Sequence, residues 1–335
     1  PVGDRHRVDI SGNVGELEID ARARLAALDM FDGIDMDLSA AAPNLAAVVK
    51  LPGRQQVPSR AFTLASKLSL SGRRLEIGDT RVDLGDIHLD ASGVMSQFPN
   101  PEGTNLDLNF EGENYLELVN MFELSAPEGL KPGPFEVRAD LDYSNLDRQT
   151  LSVGAKLVGL SASVNGSIAG YPSFVGTRLG YRLAGRDAVL LQQWFSRSTR
   201  IEGAVELEGE ISRIAAGLEI GSTRLRLGQS RAELSGTVGN EPLRRDTALA
   251  LRFEGPDLAG IAALAGYNGF LPAGSAAIDV IVQGRDDGIQ VEKLELGFDR
   301  SQAMATGFVS LQPGMPGSRV DLSVSTEEVT DLVPP

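Results

Sequence analysis

The chain has no cysteine among its 335 residues. A disulfide framework and a thiolate metal site are therefore both excluded. Histidine is nearly absent, with only His6 and His88 present, so a zinc-binding His-Glu-x-x-His helix cannot be written. Neither a Gly-x-Ser-x-Gly nucleophile elbow nor a phosphate-binding P-loop occurs. Aromatics make up 5% of the residues, with a single Trp. No run approaches the roughly 20 apolar residues that a membrane span requires. Positive charge is short: 31 Lys and Arg against 46 Asp and Glu, a net charge of -15. A nucleic-acid binder needs a basic face to neutralise phosphates, and none is visible. The pairs Arg73-Arg74 and Arg244-Arg245 read as solvated loop charges.

What is present is glycine, at 38 residues, and apolar residues that alternate with polar ones. That is the texture of many short strands and turns. The stretch Leu75 to Gly93 has apolar residues at 75 and 77, at 82 and 84, and at 87, 89 and 91. It reads as three short alternating strands. Similar stretches begin at Leu151, Leu218 and Ile289. Gly93 has counterparts at Gly166, Gly236 and Gly307, at spacings of 73, 70 and 71. Twenty-one residues beyond each stands Asn114, Asp187, Asp257 or Glu328, and Asn44 lies 21 beyond Ala23. The constant interval marks an internal repeat.

Each unit opens on an alternating strand, at Phe62, Phe135, Val205 or Ile278. Further strands follow, and then a residue suited to cap a helix. Apolar residues one and four positions later, such as Tyr115 and Leu118, fit one face of a short helix. The boundaries read as a truncated first repeat at 1–60, then 61–133, 134–203, 204–275 and 276–335. The first unit lacks its opening strand and the chain starts at Pro1, so a fragment of a longer array is expected. On the order of 20 strands, each ~4.8 Å from the next, make a sheet too wide to stay flat. It can pack on itself as a sandwich, close as a barrel, or curl into a gutter.

Blocks such as "LEIGSTRLRLGQSRAELSGTVG" (218–239) followed by "LALRFEGPDLAGIAAL" (249–264) resemble the AsmA-like family. That family is related to the TamB group and to the bridge-like lipid transfer proteins. The resemblance implies a mainly β fold: an elongated, twisted, curled antiparallel sheet with a taco-like apolar groove. Here it would be built from repeats of about 71 residues, each closed by a short helix. It also implies a place in the periplasm of a Gram-negative bacterium, attached to the inner membrane by an anchor missing from this chain. The absence of cysteine fits that compartment. The implied function is phospholipid transport between inner and outer membrane, supporting outer-membrane biogenesis, with no cofactor, no enzymatic step and a possible outer-membrane partner protein.

The expected groove lining is the alternating apolar set. In the first half it comprises Leu75, Ile77, Val82, Leu84, Ile87, Leu89, Leu106, Leu108, Leu151, Val153 and Leu157. In the second half it comprises Leu218, Ile220, Leu225, Leu227, Leu234, Ile289, Val291, Leu294 and Leu296. The rival reading is a structural or adhesive repeat protein with a closed, dry core, whose sheets would pack about 10 Å apart. Other candidates are weaker. The carboxylates at Asp29, Asp32, Asp35 and Asp37 do not follow a calcium-loop spacing. His88 lies on the polar side of its strand, and the Asn165 sequon carries no meaning in a bacterium. Trp194 and Phe195, at the end of an expected helix, read as packing over the sheet edge.

Overall fold

Alternation dictates the strands. In "LEIDARARL" (17–25) every second residue is apolar, and those side chains are the covered ones. A pleated strand sends successive side chains to opposite faces, so this pattern has one apolar and one polar face. The computed structural model of the chain describes residues 6–26, 33–48, 59–121, 131–145, 148–170, 172–186, 203–241, 245–256, 274–298, 301–312 and 314–326. Among them are nineteen strands and two short helices. Chain contacts group into two units, 1–126 with 131–158, and 127–130 with 159–335.

The first unit holds β1 (His6–Val14), β2 (Leu17–Leu25), β3 (Ile34–Ala42), α1 (Leu45–Val48), β4 (Phe62–Ser71) and β5 (Arg74–Leu84). It continues with β6 (Ile87–Gln97), β7 (Asn100–Gly112), α2 (Tyr115–Met121), β8 (Phe135–Asn145) and β9 (Arg148–Leu157). Each strand pairs antiparallel with the next. The second unit holds β10 (Leu160–Ala169), β11 (Arg178–Gly185), β12 (Val205–Ile214), β13 (Gly217–Leu227) and β14 (Ser230–Gly239). Then come β15 (Ala248–Gly255), β16 (Ala276–Gly284), β17 (Gly288–Phe298), β18 (Ser301–Ser310) and β19 (Arg319–Ser325). It is an antiparallel meander of the same kind.

Within each unit the long connections between described strands leave one end of the strands. They run from β3 to β4 and from β7 to β8 in the first unit, and from β11 to β12 and from β15 to β16 in the second. Asn44 and Asn114 cap α1 and α2, each accepting the N–H two residues on at 3.0 Å. The helix starts expected at Asp187, Asp257 and Glu328, with Trp194 and Phe195, lie outside the described residues. Tyr115 and Val119 of α2 are buried. The Tyr115 hydroxyl donates to the Lys131 carbonyl at 3.0 Å, and Arg60 meets Glu117 at 2.6 Å, joining the first two connections. Core burial concentrates at this connector end, at Ala42, Ile87 and Phe135 in the first unit and Val205, Leu227 and Ala276 in the second.

The stretch 75–93 corrects the sequence reading. It forms two strands, not three, because β5 runs unbroken from Arg74 to Leu84. The switch from odd to even apolar positions is a β-bulge: the register slips between Ile77 and Thr80. An extra residue in one strand restores the same face after the kink. The same slip occurs between Ile220 and Thr223 and between Val291 and Leu294. A bulge frees a carbonyl, and hydroxyls answer it. Thr80 Oγ1 donates to the Gly78 carbonyl at 2.9 Å and pairs with Ser66 at 2.7 Å. Thr223 does the same for Gly221 at 3.2 Å and pairs with the Tyr181 hydroxyl at 2.6 Å.

The four marker glycines share one environment. A Cβ on Gly93, Gly166, Gly236 or Gly307 would stand 2.0 to 2.2 Å from the carbonyl of Asn105, Arg178, Ala248 or Arg319. In each case that carbonyl is twelve residues on. The last three glycines also hold φ of 153°, 132° and 142°, which L side chains rarely adopt. Ten residues past each marker comes a left-handed residue: Gly103, Gly176, Asp246 or Gly317. The next residue is Thr104, Thr177, Thr247 or Ser318.

Three of these hydroxyls staple the hairpin. Thr177, Thr247 and Ser318 accept the N–H of Ala169, Gly239 and Ser310 at 2.9, 3.0 and 2.9 Å. In the β6–β7 hairpin the register slips between Met95 and Gln97 instead. Thr104 Oγ1 is consequently buried without a partner. A staple and an orphan should respond oppositely to the same change. Thr247→Val leaves a buried N–H unsatisfied and costs about 1–3 kcal/mol. Thr104→Val removes an unmatched hydroxyl and is neutral or stabilising. Thermal unfolding of the two variants, with amide exchange at Gly239, checks the contrast.

Candidate functional site

Register extends the alternation of single strands into a continuous face. In the first unit Leu64, Val82, Leu89, Phe110, Val137 and Ala155 oppose one another in turn from β4 to β9. In the second, Leu183, Leu207, Leu225, Ala232, Phe253 and Ile278 do so from β11 to β16. The row continues through Leu296, Ala303 and Val324 to β19. At ~4.8 Å per strand, those nine strands make an apolar row roughly 38 Å long.

All eleven residues expected as lining in the first half fall on the apolar face of the first unit. All nine in the second half fall on that of the second unit. The bulges are what keep both halves of β5, β13 and β17 on it. Burial along the face is graded. Ile87 and Leu227, at the connector end, are 5% and 4% exposed, while Leu218 at the opposite end is 36% exposed. The other seventeen are half-buried. Among the described residues, large side chains with under 2% exposure are nearly missing, with Val205 the apolar example. The face is therefore not sealed as the interior of a sandwich is. Residues such as Met36, Leu38, Val137 and Leu183 belong to it equally. Strand pairing, rather than any local motif, places them there.

The opposite face is charged and largely self-paired. Arg182, Glu208, Arg224, Glu233, Arg252 and Asp279 oppose one another in order across six strands of the second unit, with alternating sign. Opposite charges so placed favour this register over a slipped one. Asp279 accepts from Lys293 at 3.0 Å and Arg252 at 3.1 Å. Those bonds hold its carboxyl below the ordinary carboxylate value. In the first unit His88 Nδ1 lies 2.6 Å from Asp83, and Thr63 donates to the same carboxylate at 2.9 Å. Both bonds lower the Asp83 pKa, His88 more than Thr63. Arg74 is the first residue of β5 and meets Glu76 at 2.8 Å, and Arg245 pairs with Asp286. Asp35 and Asp37 lie on the polar face of β3, where Asp35 accepts from Ser69 at 2.9 Å. Asp29 and Asp32 fall outside the described residues, among which no acidic group has the geometry to hold a metal.

Among the described residues, clefts open on the polar faces, one on the first unit and two on the second. One cleft, of about 500 Å³, holds Asp79, Asp90, Asp107 and Asp140, with Arg138 and Asn109 beside them. Asp107 and Asp140 oppose each other on β7 and β8. A hydrogen bond to Asp140, then burial, then its charge raise the Asp107 pKa. A raised pKa means that the pair's stabilisation is present at low pH and lost as pH rises through the raised value. At neutral pH the two carboxylates repel. Asp107→Asn should therefore raise the melting temperature at pH 7, and the gain should shrink on acidification below the ordinary Asp pKa. Melting curves of both proteins from pH 3 to 8 test this.

No protein-family model matches the chain, and no curated protein or solved structure matches it significantly.

Proposed function

We propose that the apolar face is a carrying surface for the acyl chains of phospholipid, and that the chain belongs to a conduit of the AsmA-like kind. The observation that carries this reading is the single-sided apolar register, maintained along each unit and left half-accessible at most of its positions. An acyl chain of about 15 methylenes costs about 12 kcal/mol to hold in water. An unbroken aliphatic strip offsets that cost at each position along it. The strip is made of Leu, Ile, Val and Ala with few aromatics, so neighbouring positions bind alike and a chain can slide. No reaction is assigned to it. The polar face stays wet, and the acidic net charge of -15 keeps a surface of this kind from self-associating.

On this reading the conduit works in the periplasm between the two membranes of a Gram-negative cell, attached to the inner membrane. The ~71-residue repeat fits it, since each repeat lengthens the strip without changing its chemistry. A closed structural repeat would need a second layer over the apolar face, and the half-accessible side chains there argue for an open one.

Purification from a Gram-negative host, followed by lipid extraction and native mass spectrometry, tests the proposal. Phospholipid should co-purify with the chain. Leu108→Asp and Leu225→Asp, both at half-buried positions of the strip, should cut the bound amount several-fold in folded protein. Ser235→Asp on the polar face should not. Lipid-free protein that takes up no phospholipid when offered it would overturn the reading.

A further inference from the structure

The charged face of the second unit carries one local contradiction. Arg226 and Arg231 oppose each other across the β13–β14 hairpin. Its turn is Gly228-Gln229, with Gly228 at a φ of 56°, as a two-residue hairpin turn requires at its first position. Leu227 and Ser230 flank the turn. In such a hairpin the flanking pair exchanges backbone hydrogen bonds. The next pair out is then the closer, non-hydrogen-bonded kind, with Cα atoms about 4.5 Å apart. Two guanidinium stems start there side by side, and like charges so placed destabilise a sheet. In the first unit, the same position beside the Gly85-Asp86 turn holds Asp83 and His88, a complementary pair.

The arginines are also left over electrostatically. Glu206 opposes Arg226 and Glu254 opposes Arg231 on their outer sides. Even so, among the described residues neither arginine has an ion-pair or hydrogen-bond partner, and neither does Arg182 nearby. All three line a cleft of about 500 Å³. This gathers unused positive charge in a chain whose net charge is -15.

We propose that Arg226 and Arg231 form a clamp for a phosphate group. A guanidinium presents a planar fork that binds two oxygens at once. A carboxylate has only two oxygens and satisfies one fork. A phosphate has enough for both, and its charge turns the repulsion between the two arginines into attraction. Glu206 and Glu254 bound the site and limit it to a single anionic group. The clamp lies on the face opposite the apolar strip and does not depend on the lipid reading. The phosphate is either free or the headgroup of a phospholipid.

The test is thermal unfolding of the whole chain in inorganic phosphate against chloride of equal ionic strength, and in parallel with a water-soluble short-chain phosphatidic acid. The wild type, Arg226→Gln and Arg231→Gln are compared. Phosphate should raise the wild-type melting temperature by several degrees, and each substitution should abolish the shift. Without phosphate at low salt, each variant should melt higher than the wild type, because the repulsion is gone. A response to phosphatidic acid alone that both variants lose assigns the headgroup; a response to inorganic phosphate that both lose assigns the free ion. Leu108→Asp should leave the response to inorganic phosphate intact, which separates failure of the clamp from failure of the lipid reading. The clamp is overturned if no ligand shifts the wild type or if the shift survives both substitutions. It is overturned equally if the variants melt lower without phosphate, since the arginines would then be serving Glu206 and Glu254.

Discussion

Register is the constraint on which the rest of this molecule depends. Side chains alternate between faces with a period of two, so a slip of one residue in any strand would turn its leucines to water and its arginines to the apolar side. Nine strands in one antiparallel meander and ten in the other multiply that hazard. A nine-strand row such as Leu183 to Val324 stays apolar only because each successive pairing is correct.

Several devices hold the register, and they recur. The bulges at Gly78, Gly221 and Glu292 shift parity once and return the chain to the same face. Marker glycines let the last strand of each set approach where any Cβ would strike a carbonyl. Thr177, Thr247 and Ser318 then lock the adjoining hairpin with a single hydrogen bond. On the polar side, the run from Arg182 to Asp279 sets charge against charge. Each contribution is modest, and exposed pairs contribute little individually. Their shared effect is to make one register better than its neighbours.

Much of this was legible in the sequence. Leu75, Ile77 and Val82 announce an apolar face by alternation, and Gly93, Gly166, Gly236 and Gly307 each stand where a Cβ would strike a carbonyl of the next strand. The parity change between Ile77 and Val82 was misread as a strand break, because a bulge and a turn leave the same trace when only apolar spacing is read. Thr104, Thr177, Thr247 and Ser318 stand in line at a fixed interval from the marker glycines, yet a hydroxyl in a strand carries no visible purpose until its N–H partner is placed. The Arg226–Arg231 opposition was hidden for a related reason: residues five apart meet only once the hairpin between them is known. The polar-face clefts are lined from several strands at once, and alternation within one strand does not encode which strands meet.

The central claim is that the apolar face is open to solvent and available to lipid. The chain contains no native cysteine, so single cysteines report without interference. Cysteines at Leu108 and Leu225 on the apolar face, and at Ser92 and Ser235 on the polar face, would be timed against a water-soluble thiol reagent with and without short-chain phospholipid. The account predicts that all four react in the lipid-free protein and that phospholipid slows only the two apolar-face positions. Apolar-face cysteines that are inert without lipid, or unaffected by it, would contradict the account and mark a sealed core.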